Sequence, residues 1–400
     1  MKARLRLRSV VLLGLIAALI LGVAGAAWWY GVRTNAPRHL RTGDELAAAG
    51  QAQAAIRAYR RAVYYAPPAE KTAYLLKIAD TLCLQPAPDL DAAARHGLES
   101  LGVLRQALQT DPHSPEVIRR VLETGLELAR ATDAPHIWRN LFEAADDVVR
   151  KNPQHSLGLK CRGMARVTLM GREETDERDA LLAKEDLGFA LRMTPDDPDL
   201  SFHTALWFLD AAVRAERQGL HEQSVRHRTS ARELIEEFQH AHPASADGAI
   251  NRVAVCLALA ATFPDSARGL RIDTDVRALE ERLTQEGDAT QLARLAALLA
   301  RGVHDELRDR TGLGRAEALQ VAERLAEAGV ARDPANPRCP MVLADCLKWQ
   351  DKEERAASAL ERFLARSEIP AGPVAPIAVR HARMIAQVTL ADLDLRRHER

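Results

Sequence analysis

Charge of one sign is missing from this 400-residue chain: 55 basic side chains face 55 acidic ones, leaving a formal net charge of zero. No long-range field draws it to a polyanion, so nucleic acid is not an expected partner. The five cysteines, Cys83, Cys161, Cys256, Cys339 and Cys346, lack C-x-x-C or Cys/His spacing, which excludes a zinc motif and a disulfide framework. Cys339 and Cys346 would lie roughly 10 Å apart along one helix, beyond disulfide reach, and all five read as small buried apolar residues. G-x-S-x-G, P-loop and paired-carboxylate motifs are absent as well. His221 and His227 in "HEQSVRH" miss the spacing of H-E-x-x-H, and His240 and His242 read as the end of a helix. Gly312 and Gly314 in "TGLGRAEAL" have no third glycine and no preceding strand, so they read as a loop that opens a helix. The expectation is no catalytic residue, no metal, no cofactor and no small-molecule substrate.

Aromatics are also scarce, at 4%, while Ala, Leu, Arg and Glu dominate, and these strong helix formers predict an all-α protein. The chain begins with a basic tail, residues 1–8, carrying Lys2, Arg4, Arg6 and Arg8, and continues uncharged from Ser9 to Val32. That run is long enough to cross a bilayer, and Trp28, Trp29 and Tyr30 suit the far headgroup region. The basic residues predict a cytoplasmic amino terminus, a single transmembrane helix over 9–32 and an extracytoplasmic or periplasmic remainder at the inner membrane. A cleaved signal peptide is the competing reading, because Ala24 and Ala26 frame an A-x-A-like site after an apolar core. Both place residues 35–400 outside the cytoplasm.

A spacing then recurs. Ala55, Tyr59, Ala62 and Pro67 are separated by four, three and five residues. Ser100, Leu104, Ala107 and Pro112 repeat it, as do Leu141, Ala145, Val148 and Pro153, then Ala183, Leu187, Ala190 and Pro195. Ala231, Ile235, Phe238 and Pro243 follow, and Ala322, Ala326, Gly329 and Pro334 make the sixth copy. Steps of four and three hold three residues on one helix face, and the proline beyond them stops the helix. Successive prolines lie 45, 41, 42, 48 and 91 residues apart, so one stop is missing in the last interval, where Gly287 and Asp288 in "RLTQEGDATQ" supply a break. Each ordinary interval has room for two helices.

These residues resemble the tetratricopeptide repeat (TPR), W-x2-L-G-x2-Y, then A-x3-F, then P. In the first copy the match is Gly43 and Leu46, Gly50 at the turn, Ala55 and Tyr59, Ala62, and Pro67, with His39 and Thr42 standing where the family prefers Trp and Leu. In the last copy it is Ala344 and Leu347, then Ala356, Leu360 and Phe363. The intervening repeats are longer than the family's, and "REETDERD", 172–179, reads as a charged insertion after Gly171 and before Ala180. The resemblance implies a right-handed α-solenoid of about seven to eight hairpins over 36–370, followed by a terminal capping helix over 371–400 whose Val379, Ile385, Val388 and Leu395 sit among charges.

The family's concave side, lined by the first helix of each hairpin, usually receives a peptide or helix of another protein. By that resemblance the groove residues are Arg338, Met341, Asp345 and Lys348 in the last repeat, and Leu40, Asp44 and Ala47 in the first. Relatives that grip a C-terminal carboxylate use Lys, Arg and Asn, and the first repeat offers Asp44 and Ala47 instead. Asp196, Asp197 and Asp199, after Pro195, read as first-turn acids that complement a helix dipole. The expected function is a membrane-tethered scaffold or assembly factor that binds other proteins. The alternatives are a cleaved soluble adaptor, or a regulatory or presenting subunit of a multi-protein enzyme or export system.

Overall fold

A computed structural model describes residues 18–31, 35–170, 172, 177–267, 270–303, 307–366, 370 and 372–399, and among these residues there is no strand. The expected basic tail and most of the expected membrane span lie outside the described residues. The described part of that span, α1 (18–31), is helical and exposed on every side. Among the described residues no helix is long and apolar enough to cross a membrane.

The chain divides into two compact units, Met1–Pro86 with Glu99–Val117, and Ala87–Leu98 with Ile118–Arg400. In the first, α2 (Ala36–Ala48) pairs with α3 (Ala52–Tyr65), and α4 (Pro68–Leu84) follows. Helix α5 (Leu90–Thr110) packs its Glu99–Thr110 part on α4, where Ser100 Oγ donates to the Ala79 carbonyl at 3.1 Å.

The second unit continues, from Ile118 on, with α6 (Pro115–Thr132), then α7 (Pro135–Lys151), α8 (Ser156–Met170), α9 (Glu177–Met193), α10 (Pro198–Arg217) and α11 (His221–Ala241). After these come α12 (Ala246–Thr262), α13 (Ile272–Glu286), α14 (Ala289–Gly302), the short α15 (Arg308–Thr311), α16 (Arg315–Arg332), α17 (Arg338–Lys348), α18 (Glu353–Leu364) and α19 (Ala375–Glu399). Successive helices pair as hairpins: α8 with α9, α10 with α11, α12 with α13, α14 with α16 and α17 with α18. The insertion begins after α8, but its last residues, Glu177 to Asp179, are the first turn of α9, and Gly171 and residues 173–176 lie outside the described residues.

All six prolines of the recurring pattern stand just past the end of a second helix: α3, α5, α7, α9, α11 and α16. The missing stop is also where the sequence places it. Helix α13 ends at Glu286, Gly287 caps it, and Asp288 opens α14 through a capping box with Gln291. The residues spaced four and three ahead of each proline are buried, among them Ala55, Ala62, Ala183, Leu187, Ala231 and Ala326, so they are the face on which each second helix meets its neighbours. Leu347, Ala344, Ala356 and Leu360 are buried in the same way. Small residues set how closely helices approach. A Cβ on Gly43 would lie 2.4 Å from the Tyr59 ring, so only glycine lets α2 lie this near α3.

Helix α19 packs on α18 and α17 and carries Val379, Ala386 and Leu393, seven residues apart, into the core. Of the four apolar residues that sit among charges, Val379 is buried because it shares that inner stripe, while Ile385, Val388 and Leu395 are exposed. The start of this segment also meets the Ala87–Leu98 part of the same unit. Arg380 Nε donates to Asp91 Oδ1 at 2.6 Å, and a Cβ on Gly97 would lie 2.4 Å from the Pro373 carbonyl oxygen.

Gly97→Ala is accordingly expected to destabilise the second unit by about 1–3 kcal/mol, because a backbone carbonyl cannot turn aside as a side chain can. On the same helix a Cβ on Gly102 would meet nothing within 4 Å, so Gly102→Ala should instead stabilise by about 0.5–1 kcal/mol through helix propensity. Urea midpoints of the two variants should fall on opposite sides of the wild type. A Gly97→Ala midpoint at or above the wild-type value would show that the contact is not tight.

Candidate functional site: the row of first helices

In the second unit the first helices of successive hairpins lie side by side, α8 against α10, α10 against α12, α12 against α14 and α14 against α17. Helix α6 joins α8, where the Cys161 thiol points at the Leu122 carbonyl. The N-terminal ends of α8, α10, α12 and α14, with the last turn of α6, carry a polar seam that no single hairpin could build.

The seam is organised by acids in the first turns. Asp197 caps α10, accepting from the Asp199 and Leu200 amides at 3.0 and 3.2 Å. The same carboxylate takes the Lys160 ammonium of α8, both side chains being mostly buried. Asp199, second residue of α10, takes Arg130 of α6 at 2.5 Å, and despite burial that guanidinium holds its carboxyl below the usual range. Asp247, second residue of α12, takes Arg294 of α14, whose other nitrogen donates to Asn251 Oδ1 at 2.8 Å. Asn251 in turn donates to the Pro198 carbonyl at 2.9 Å, joining α12 to α10. His203 lies beneath the seam, its Nδ1 2.7 Å from the Asp199 carbonyl, and burial pushes it down to about 4, so its ring is neutral at pH 7.

The groove residues expected from the sequence have varied surroundings. Arg338 is the first residue of α17 and belongs to this seam. Asp345 pairs with Arg301 of α14 at 2.9 Å, Lys348 lies 3.7 Å from Asp392 of α19, and Met341 packs partly on the core. In the first unit Leu40 packs with Ala36, Ala62, Ala66 and Tyr74. Asp44 accepts from Tyr59 Oη at 2.8 Å and from Lys77 Nζ at 2.6 Å. These two thus tie α2 to α3 and α4, and Ala47 stands half-buried beside them.

Arg130, Lys160, Asp247, Asn251 and Arg294 escaped the sequence reading, although the recurring acid at the second position of a first helix, Asp199 and Asp247, is a signal that could have found them. Beyond complementing the helix dipole, Asp197 caps α10, and both Asp197 and Asp199 carry inter-helix ion pairs.

None of the five cysteines is in a disulfide. Burial pushes the thiols of Cys161, Cys339 and Cys346 up to about 12 and that of Cys256 up to about 11, so these four are protonated and unreactive at neutral pH. Among the described residues no group of three His, Cys, Asp or Glu side chains has the geometry to hold a metal ion. His242 caps α11 and meets Asp196 at 3.2 Å, and His221 meets Glu216 at 2.8 Å, so both imidazoles have local structural partners.

No family model matches the sequence, and no curated protein does. Among solved structures, a tetratricopeptide repeat protein from Parabacteroides merdae is similar with a TM-score of 0.47 and 11% identity, over 78% of this chain and 98% of that one. Human IFIT1, as a dimer with m7Gppp-AAAA, is similar with a TM-score of 0.39 and 12% identity, over 91% of this chain and 82% of that one. Yeast Tom70 is similar with a TM-score of 0.27 and 10% identity, over 91% and 96%. The functional reading rests on this chain's own residues.

Proposed function

We propose that this TPR-like protein is a membrane-tethered, extracytoplasmic scaffold whose row of first helices receives a segment of a partner protein. The observation that carries the reading is the composite seam. Side chains from hairpins far apart in sequence meet on one face, and a surface assembled this way suits an extended partner better than a small molecule. The tether rests on the sequence alone, on the uncharged run from Ser9 to Val32 behind a basic tail.

The test is site-directed photo-crosslinking of the full-length chain in its native membrane. A photoreactive residue placed at Met341 or Lys348 on α17 is expected to capture one defined protein. The same probe at Glu233 on the second helix α11 should not. Capture from Glu233 and not from α17 would overturn the assignment of the face. Release of the chain by alkaline carbonate would remove the tether, and protease protection of residues 35–400 in spheroplasts would remove the extracytoplasmic placement.

A further inference from the structure

The seam is balanced at each step except its last. The second residue is an acid in α10 and in α12, Asp199 and Asp247, and each holds a cation from another first helix. At the same position α14 has Thr290, and the next helix in the row, α17, opens on Arg338. Arg338 is held against that very turn by its neighbours: Asn336 Nδ2 donates to Thr290 Oγ1 at 3.2 Å, and Cys339 Sγ to the Ala289 carbonyl at 3.3 Å. A cation has therefore been fixed where the series lacks its acid.

Among the described residues no acceptor stands within hydrogen-bond or ion-pair distance of the Arg338 guanidinium, although its backbone amide is taken by Asn336 Oδ1 at 3.0 Å. The side chain is half-buried. Burial and the charges of Arg294 and Arg130 depress its pKa; Cys339, uncharged at neutral pH, and the Asp133 carboxylate oppose them. That carboxylate is engaged by Arg172 at 2.7 Å and by Trp138 Nε1 at 3.3 Å. Arg130 and Arg294 each have their own aspartate, whereas the repulsion and desolvation of Arg338 are offset only in part, by Asp133. A partly desolvated guanidinium costs free energy when left unpaired, and a planar fork of donors suits a carboxylate.

We propose that Arg338 is the docking point for an aspartate or glutamate carboxylate on the partner segment received by the first-helix row. The inference rests on the partner-binding reading of that row and adds the chemistry of its occupant. A protein segment fits better than nucleic acid. A continuous line of phosphates along the row would meet Asp197, Asp199 and Asp247, whereas a single carboxylate in a segment of mixed charge meets only the free arginine.

The probe is a fluorescein-labelled peptide of three Gly-Ser-Glu units, compared by anisotropy with its Gln counterpart and with a labelled single-stranded RNA of the same length, on the full chain in detergent. The Glu peptide is expected to bind more tightly than the Gln peptide, and Arg338→Gln to weaken it roughly tenfold or more while Arg338→Lys retains most of the affinity. Arg338→Gln should also leave the thermal midpoint unchanged or raise it, since it removes an uncompensated charge. A lower midpoint would make Arg338 a structural residue and overturn the proposal. So would equal binding of the Glu and Gln peptides, absence of binding to either, or RNA binding as tight as the Glu peptide. If crosslinks from Met341 and Lys348 persist under any of those outcomes, the row still receives a partner and only the carboxylate assignment fails.

Discussion

Asp186→Ala is expected to destabilise the second unit by about 3–5 kcal/mol, read as a loss in the urea midpoint. The carboxylate of Asp186 on α9 is nearly sealed from water, with 5% of the side chain exposed, and sits between two arginines of α8. Arg162 holds it with a two-pronged contact at 2.8 and 2.7 Å, and Arg166 adds a third bond at 2.8 Å. Arg162 reaches in the other direction to Asp146 of α7 at 2.9 Å, so one cluster binds three helices. Replacing such a group by well-packed apolar residues can be neutral, but removing only its acid leaves two largely buried guanidinia short of counter-charge. Asp147→Ala supplies the control. Its side chain is 57% exposed and pairs with Arg150 within one helix, so the cost should stay below about 0.5 kcal/mol. Similar losses for the two variants would show that the Asp186 cluster is not desolvated.

Acidification is expected to weaken the second unit through His203. Burial is the first cause of its depressed pKa; Arg130 and Lys160 push the same way, while the bond to the Asp199 carbonyl and the Asp199 charge resist. With a folded value of about 4 and an ordinary value of 6.5, the unfolded chain takes the proton first as pH falls. The contribution is therefore intact above about pH 6.5 and lost progressively down to about pH 4, where it reaches about 3 kcal/mol. Between about pH 7.5 and pH 5 the loss from this residue should be about 2 kcal/mol. His155, His227 and His381 shift in the same direction, so the wild type alone cannot isolate the effect. The difference between wild type and His203→Leu can: the variant's stability should fall less steeply over that interval. Parallel curves would mean that His203 is hydrated in the folded chain.

The hairpins were legible because they are written in short-range signals. A small or apolar triad followed by a proline needs only local spacing to be seen, and Gly287 with Asp288 could be placed by the gap they fill. Asp186 could not be seen. It lies one position before Leu187 of a recognised triad, and nothing local says that two arginines from the preceding helix will close over it. The seam was hidden for the same reason: helix periodicity assigns a residue to a face but does not name the residue opposite on another hairpin. Arg338 was picked for its place on a first helix, while the empty position that makes it unusual, Thr290 in α14, appears only when the first turns of α10, α12 and α14 are compared in register. Leu40 and Asp44, groove residues by the resemblance, also pack and bond within the first unit, because Tyr74 and Lys77 of α4 reach back to them.

The clasp between the start of the C-terminal segment and α5 bears on how the second unit comes apart. An array held together only by nearest neighbours frays from its last hairpin inward, each step costing little beyond one interface. Here Asp91 and Arg380 are joined across 289 positions of sequence. Closing a loop of that length takes on the order of 5 kcal/mol of chain entropy, which must be met before the contact forms. Formation of the clasp therefore belongs late in folding, and once made it removes the free end from which unravelling would begin. Hydrogen exchange in α18 and α19 should then track that of the middle hairpins, as in a cooperative body, and not the graded protection of an open-ended stack.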